Sequence, residues 1–230
     1  MAIDGHVIVA PNNVRGFDAA VRLTAKQIKA FFDHGYRYAV RYVRRDEAHP
    51  DRDLNSSEAQ QLIDAGLGLM IVQYVESESA WAPNADKGRG NGQIAAEECT
   101  RIGIPHGVSV WCDLEGVAAG TSAKDVIDYC NLWHEAVAGA GYLPGLYIGW
   151  HCGLTPAQLY KSLRFTHYWG AYNLNADQEP SVRGIQMKQG AVKKSDRPAG
   201  VTIDFDTDRV KTDALGGRPT VVAMESWLEV

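Results

Sequence analysis

The sequence predicts an α/β fold, a TIM-like (β/α) barrel with five βα units followed by three strands that lack regular helices. Strand-like and helix-like segments alternate along most of the chain, which favours parallel strands joined by helices. Eight strand candidates fit a closed barrel better than an open sheet, and no GxGxxG motif follows the first strand. The chain of 230 residues is 45% hydrophobic and can fill such a core.

The first five strands each precede a helix with recognisable ends. Thr24 is placed to cap the first helix, which stops at Gly35, and Ser56 or Ser57 is placed to cap the second. The continuous apolar run of the third strand is typical of a parallel strand that is covered on both faces. The predicted strand and helix pairs are 14–19 with 24–35, 38–43 with 56–66, 67–77 with 93–103, 108–116 with 122–141, and 143–150 with 155–165.

The pattern changes after the fifth helix, where three strand candidates follow without a helical period between them. They span 167–173, 184–190 and 201–210, and polar loops separate them. The glycine-rich stretch GRGNG before the third helix is interpreted as a loop. No boundary between domains is evident, so we expect a single barrel domain over residues 1–230, with its core at about 14–210 and a tail at 211–230.

Composition argues against several kinds of partner. The net charge of −5 is spread along the chain, and basic residues form only short clusters such as Arg44-Arg45 and Lys193-Lys194. A nucleic-acid partner needs a basic face, so we expect none. No stretch approaches the ~20 apolar residues of a membrane helix, so we expect no membrane insertion. The four cysteines and seven histidines form no ligand cluster, which predicts free thiols, no metal and no cofactor. We also expect a monomer.

The stretch VWCDLEG places two acids, Asp113 and Glu115, in an otherwise apolar strand. They are two residues apart, ~6.5–7 Å along a strand, and therefore share a face, whereas the apolar residues that alternate with them pack against the helices. Asp18 closes the first strand, and Asp204 with Asp206 belongs to the eighth. Functional groups of such barrels lie at the carboxyl ends of the strands, so we expect these acids to meet at one end.

Crowded acids and exposed rings are typical of a site that acts on sugars. Carboxylates that lie close together raise one another's pKa. A glutamic acid that stays protonated near neutral pH beside an ionised aspartate is what cleavage of a glycosidic bond needs. Aromatic side chains near strand ends offer faces on which sugar rings stack. The aromatic candidates are Tyr74, Tyr147, Trp150, Tyr168, Trp169 and Tyr172.

Seven short motifs, in order along the chain, carry a family resemblance. They are G-F-D at 16–18, V-R-Y at 40–42, D-L-E at 113–115, G-L-Y at 145–147, W-G-A-Y at 169–172, I-Q at 185–186 and I-D-F-D at 203–206. The chain resembles the family-25 glycoside hydrolases, which are bacterial and phage lysozymes, and more closely a related group of glycoside-hydrolase-like domains of unknown function. The resemblance implies the same barrel, in which the last three strands lack regular helices.

The resemblance also implies an activity, the cleavage of the β-1,4 bond between N-acetylmuramic acid and N-acetylglucosamine in peptidoglycan or a related glycan. It makes Glu115 the general acid and gives Asp113 the task of orienting or stabilising the positive intermediate. Asp18 and Asp204 match the flanking catalytic acids. These four residues are the catalytic candidates.

Candidate substrate-binding residues are expected at the same end of the barrel. Arg41 is shared with the relatives of unknown function, Tyr74 ends the third strand, and Asp206 is the second acid of the eighth. The resemblance adds four positions that contact sugar in the family. The full candidate set is Arg41, Tyr74, Tyr147, Trp169, Tyr172, Gln186 and Asp206.

Two other classes of function remain open. The first is a barrel that binds glycan or another protein without catalysis, in a phage particle or a secreted assembly, although such a module has no need for four converging acids. The second is a metal-dependent phosphodiesterase that uses Asp113, Glu115, Asp204 and Asp206 around Mg²⁺ or Ca²⁺. It lacks a basic phosphate cradle and ranks last.

The N-terminal segment MAIDGHVIVAPNN has an early acid, no basic region and only a short apolar run. These features predict that it is no signal peptide and that the protein is made in the cytoplasm. Action on a cell wall is then expected after lysis or non-classical export.

Overall fold

The computed structural model describes residues 2–77 and 79–229, and these residues contain ten strands and five α-helices. The strands are β1 (His6–Val9), β2 (Arg15–Ala19), β3 (Tyr38–Val43), β4 (Gly68–Gln73), β5 (Ser109–Leu114), β6 (Leu143–Ile148), β7 (Tyr168–Gly170), β8 (Met187–Gly190), β9 (Asp206–Val210) and β10 (Thr220–Ala223). The helices are α1 (Ala25–Asp33), α2 (Ser56–Asp64), α3 (Ala85–Ile102), α4 (Ala123–Gly139) and α5 (Pro156–Lys161). Glu78, which the sequence places in the loop beyond the third barrel strand, lies outside the described residues.

Eight strands, β2 to β9, close into a barrel. Each strand from β2 to β7 pairs in parallel with the next one along the chain. The last strand, β9, runs antiparallel both to β8 and to β2, and this pairing completes the ring. The fold is therefore the predicted TIM-like barrel, in which the final strand has the opposite direction.

Alternation along the strands separates two apolar layers. In β5, Val110, Cys112 and Leu114 pack outward against the helices, as predicted, and Trp111 points into the barrel. A Cβ at Gly145 of β6 would lie 2.2 Å from the Trp111 ring. The glycine of the G-L-Y motif therefore leaves the space that this indole occupies, and any larger residue there would displace it.

The helices begin at polar caps that the sequence largely predicts. Thr24 caps α1, accepting a hydrogen bond from the Gln27 backbone, and Thr155 caps α5 with Pro156 at the first helical position. The prediction for α2 is wrong by one or two residues, because the Asn55 side chain accepts from the Glu58 backbone at 2.8 Å and caps that helix instead of a serine.

The GRGNG stretch is helical, so its interpretation as a loop is wrong. It lies in the first half of α3, where Gly88 and Gly92 face α4. A Cβ at Gly88 would lie 2.3 Å from the Tyr129 carbonyl oxygen, and one at Gly92 would lie 2.7 Å from that of Trp133. Glycines four residues apart share a helix face, and here they allow backbone contact between the two helices.

The tail contains a strand that covers the amino-terminal end of the barrel. β10 pairs antiparallel with β1, and Val222 also pairs with Leu69 near the start of β4. Ile8 of β1 and Val221 of β10 belong to the apolar cluster inside the barrel. The buried Trp227 donates its indole N–H to the Arg37 carbonyl at 2.7 Å. The candidate acids lie at the other end.

Candidate functional site

The carboxyl ends of β2 to β8 meet at one end of the barrel, which we call the mouth. Because β9 runs in the opposite direction, its first residues lie there as well. Asp206 pairs in register with Asp18, and Asp113 with Tyr147. Asp208 shares the inward face with Asp206 and lies one step deeper. The inward side chains of the mouth are Asp18, Tyr42, Asp113, Tyr147, Gln189, Asp206 and Asp208.

Gln189 connects the polar groups of the mouth. Its amide nitrogen donates to Oδ2 of Asp18 at 3.0 Å and to Oδ2 of Asp206 at 3.3 Å. Its amide oxygen accepts from the Tyr147 hydroxyl at 3.0 Å, and the Tyr42 hydroxyl donates to Oδ1 of Asp18 at 3.3 Å. This network joins side chains of five strands and fixes their positions relative to one another.

Asp18 and Asp208 form a buried pair of carboxyl groups, with side chains 5% and 2% exposed. Burial raises the pKa of Asp18 from 3.8 to about 7, while the hydrogen bond from Gln189 lowers it and the charge of Asp206 raises it. Burial, and then the charge of Asp18, raise the pKa of Asp208 well above its usual range. Burial and the repulsion between the two like charges therefore both favour protonated forms of this pair.

Asp18 makes the stability of the protein depend on pH. The folded protein keeps a proton on Asp18 up to about pH 7, whereas the unfolded chain releases it near pH 4, so the free energy of unfolding falls as pH rises between these values. Asp18→Asn removes this titration. It should raise the free energy of unfolding at neutral pH by on the order of 1–3 kcal/mol and change it little near pH 4.

Chemical denaturation across this pH range measures the effect. Asp177→Asn is the control, because Asp177 is exposed in the segment after β7, and its curve should follow that of the wild type. Wild-type and Asp18→Asn curves that run parallel over the whole range would contradict the raised pKa of Asp18.

Asp113 and Glu115 lie on the same face, at and just beyond the end of β5. Asp113 is buried and Glu115 is half-buried. After burial, which is the largest cause, the charges of these two carboxylates raise the pKa of the Tyr147 hydroxyl, so both act on one point of the mouth. The Trp81 indole N–H donates to the Glu115 carbonyl at 2.5 Å and fixes the backbone of that residue.

Gly149, which follows β6, makes room for the Glu115 side chain. A Cβ at position 149 would lie 2.3 Å from Oε2 of Glu115 and 2.5 Å from its Cβ. The Gly149 N–H donates to the Leu114 carbonyl at 3.1 Å, and the Gly116 N–H donates to the Trp150 carbonyl at 2.7 Å. These bonds hold the two segments side by side, so the absence of a side chain at Gly149 sets where the carboxylate lies.

The aromatic candidates occupy different depths at this end. Trp169 is buried in the barrel, and its ring meets that of Tyr147 edge-on with centroids 4.6 Å apart. Tyr74 is half-buried one residue beyond β4, and its ring packs on Tyr42 with centroids 4.7 Å apart. Tyr172 is exposed two residues beyond β7. Trp169 therefore supports the mouth from below, and Tyr74 and Tyr172 lie nearer its rim.

Arg41 does not lie with the acids. It faces outward from β3, fully buried against α2, where its Nε donates to Oε1 of Glu58 at 2.8 Å. Its remaining nitrogens donate to the carbonyls of Ala19 and Arg52. The residues on either side of it, Val40 and Tyr42, point into the barrel, which is why Arg41 points away. Its role here is an internal ion pair.

Two further candidates lie away from the inward face of the mouth. Gln186 precedes β8, at the opposite end of the barrel, where its fully buried amide bonds to the Tyr168 backbone, the Thr166 carbonyl and the Asp213 carboxylate. Asp204 is exposed and precedes β9 by two residues. Its charge raises the pKa of Asp206, after burial as the larger cause, so Asp204 lies near the site without belonging to its buried network.

Three residues of the mouth network were not predicted from the sequence, namely Tyr42, Gln189 and Asp208. The period-two run of acids at 204, 206 and 208 was a signal for Asp208, since every second residue of a strand shares a face. Gln189 follows the noted I-Q pair by three residues and lies on β8 itself. Tyr42 is the last residue of the V-R-Y motif and directly follows Arg41, which was the residue selected as a candidate.

Within residues 2–77 and 79–229, no group of three or more His, Cys, Asp or Glu side chains is arranged to hold a metal ion. The cysteines at 99, 112, 130 and 152 are free thiols. None of the helices in the described part of the chain is both long and apolar enough to span a bilayer.

Solved structures share this fold. The Tat-secreted protein Rv2525c of Mycobacterium tuberculosis, in complex with L-tartrate, is 17% identical, with a TM-score of 0.62 over 86% of this chain and 96% of that chain. The lysozyme of Streptomyces coelicolor is 15% identical, with a TM-score of 0.56 over 90% and 95%. The autolysin LytC of Streptococcus pneumoniae, in complex with a synthetic peptidoglycan ligand, is 10% identical, with a TM-score of 0.57 over 87% and 47%.

Comparison with curated proteins finds no match for this chain. A family profile described as "Rv2525c-like, glycoside hydrolase-like domain" matches residues 29–210, which include seven of the eight barrel strands and therefore most of the mouth. The match agrees with the resemblance that the motifs carry. The chain belongs to the family of Rv2525c-like, glycoside hydrolase-like domains.

Proposed function

We propose that the protein is a muramidase, a glycoside hydrolase that cleaves the β-1,4 bond between N-acetylmuramic acid and N-acetylglucosamine in bacterial peptidoglycan. The observation that carries the proposal is the pair Asp113 and Glu115, which share one face at the mouth beside Tyr147. Membership of a glycoside-hydrolase-like family supports it, as does the shared fold of a lysozyme and of an autolysin solved with a peptidoglycan ligand.

The two acids have different tasks because their surroundings differ. Glu115 is half-buried at the rim, where it can reach the oxygen of the scissile bond and give it a proton as the general acid. Asp113 lies deeper and is buried, where its negative charge can stabilise the positive charge that develops on the sugar.

The flanking acids position the substrate and the pair. Asp18, predicted for this role, is joined to Asp206 through Gln189, and burial, followed by the charge of Asp18, raises the pKa of Asp208. We assign to Asp206 the part that the resemblance gives to Asp204, because Asp206 pairs in register with Asp18. The Tyr147 hydroxyl, Tyr74 and Tyr172 offer the hydrogen bonds and ring faces that a sugar binds.

Gly149→Ala should lower the turnover of peptidoglycan by at least about tenfold. The new Cβ would overlap the Glu115 side chain, so the carboxyl must move, and misplacing a catalytic group by about 1 Å costs on the order of 100-fold. The rate of release of soluble fragments from purified peptidoglycan measures the effect.

Gly90→Ala is the matched control, because a Cβ at Gly90 meets nothing within 4 Å. It should leave turnover unchanged and stabilise α3 slightly, since alanine favours a helix interior. A Gly149→Ala protein with wild-type turnover would show that Glu115 does not need its observed position.

Release of soluble fragments from purified peptidoglycan tests the function itself. The wild type should release them at the same rate with and without EDTA, and Asp113→Asn should release them far more slowly. Loss of turnover in EDTA would favour a metal-dependent reaction. Binding of the wild type to peptidoglycan without release of fragments would favour a non-catalytic module.

A further inference from the structure

A pocket of about 630 Å³ opens beside Glu115 and outside the mouth. The segment between β6 and α5, from Gly149 to Thr155, forms one wall, and residues 173–178 after β7 contribute to the other. Gly149 belongs both to this wall and to the contact with the Glu115 carboxylate. The pocket is therefore separated from the side chain of the proposed general acid only by Gly149.

Trp150 is the largest side chain that lines this pocket, and 54% of it is exposed. Tryptophan is highly buried on average in folded proteins, so an indole that is more than half exposed is unusual. The His151 ring lies against it with centroids 3.8 Å apart, and His151 has a φ of 53°, in the left-handed region that non-glycine residues rarely adopt. The strained backbone presents the indole to the pocket instead of burying it.

Backbone hydrogen bonds fix Trp150 relative to Glu115. The Trp150 carbonyl accepts from the Gly116 N–H at 2.7 Å, and the His151 carbonyl accepts from the Val117 N–H at 3.0 Å. Gly116 directly follows Glu115, so the ring and the carboxylate are held by adjoining parts of the same two-segment ladder. A ligand that contacts both would find them already in place.

The lining decides the chemistry of the ligand. Among the described residues that line the pocket there is no Lys, Arg, Asp or Glu, while Asn173, Gln178 and Thr155 supply neutral polar groups. A charged peptide or a phosphate group would meet no permanently charged side chain in this lining, where the His151 ring is packed on Trp150. A pyranose ring, with an apolar face and uncharged hydroxyl and acetamido groups, matches an aromatic face surrounded by amides and hydroxyls.

We propose that this pocket binds a sugar ring of the glycan next to the bond that Glu115 acts on, with Trp150 as the residue on which that ring stacks. The inference rests on the proposed function, since it takes Glu115 as the point of cleavage. Trp150 acts by holding substrate and does not touch the reacting atoms.

Binding of β-1,4-linked N-acetylglucosamine tetramer to the full chain, measured by titration calorimetry, tests the pocket without turnover of the natural substrate. Trp150→Ala should raise the Kd roughly tenfold, and Trp150→Phe should recover most of the affinity, because phenylalanine keeps a ring face. Leu215→Ala is the control, since Leu215 is equally exposed, at 55%, outside the pocket. It should leave the Kd unchanged.

Turnover of peptidoglycan by the same variants separates this inference from the proposed function. Trp150→Ala should raise KM about tenfold and leave kcat within a few-fold of the wild type. Equal Kd values for the wild type and Trp150→Ala would overturn the pocket, and Glu115-dependent cleavage by both would then leave the proposed function standing. A wild type that binds no tetramer at millimolar concentration would overturn the pocket as well.

Discussion

Glu115→Gln should lower the turnover of peptidoglycan by at least about 100-fold, since general acid catalysis contributes typically ~10²–10⁴-fold. Glutamine keeps the shape of the side chain and its contact with Gly149, but it has no proton to give to the leaving oxygen. Binding of glycan should change little, because the polar network of the mouth does not need this charge. Single-turnover kinetics on purified peptidoglycan measure the rate directly.

The matched control is Glu97→Gln, an exposed glutamate of α3 outside the mouth, which should have wild-type turnover. The thermal midpoint of Glu115→Gln should be close to that of the wild type, so a loss of turnover cannot be attributed to unfolding. If Glu115→Gln keeps most of the wild-type turnover, another group donates the proton and the assignment is wrong.

Glu58→Ala should destabilise the protein by about 3–5 kcal/mol, the cost of removing one partner of a buried ion pair. Glu58 is 3% exposed and Arg41 is fully buried, with Nε and Oε1 2.8 Å apart. The substitution leaves the guanidinium without a counter-charge and the Leu23 N–H without the carboxylate that accepts from it at 3.0 Å. Chemical denaturation at neutral pH measures the change.

Two variants show whether the cost comes from the isolated charge. Arg41→Met combined with Glu58→Leu should recover most of the lost stability, because apolar replacement of a whole buried pair is often close to neutral. Asp33→Ala, in the exposed pair of Lys29 and Asp33, should cost less than about 0.5 kcal/mol. A Glu58→Ala protein that loses no more stability than Asp33→Ala would show that Arg41 is not held as described.

The barrel could be predicted because its strands carry their own pattern. In β5 the apolar residues and the acids alternate, and the structure places Val110, Cys112 and Leu114 outside and Asp113 inside, as the period of two requires. The helix start at Thr24 was readable for a similar reason, since its cap depends on residues three positions apart. Local rules predict local structure.

Features that depend on distant parts of the chain could not be predicted in this way. The direction of β9 is set by its pairing with both β8 and β2, and this direction puts Asp206 and Asp208 at the mouth. Gly88 and Gly92 are typical loop residues by type, and their place in a helix is explained only by the close contact of their backbone with α4. The periodicity of the sequence reveals neither the strands that pair with β9 nor the helix that packs against α3.

Arg41 shows the limit of a motif. V-R-Y marks the strand correctly, but the residue that faces the acids is Tyr42, and the arginine is held by Glu58 on a helix that follows later in the chain. The I-Q pair shows the same limit. Its glutamine, Gln186, binds Asp213 at the opposite end of the barrel, and the glutamine that donates to Asp18 at the mouth is Gln189. A motif can mark a strand correctly and still leave open which of its residues face the inside of the barrel, because a shift of one residue moves every side chain to the other face.

Mass spectrometry of the ends released from purified peptidoglycan tests the central claim most directly. The peptidoglycan is incubated with the wild type or with Glu115→Gln and then reduced with borohydride, which marks each new reducing end. A muramidase leaves N-acetylmuramic acid at that end, so wild-type fragments should terminate in N-acetylmuramitol, and Glu115→Gln should yield almost none. Fragments ending in N-acetylglucosaminitol, or no new ends with the folded wild type, would contradict the account.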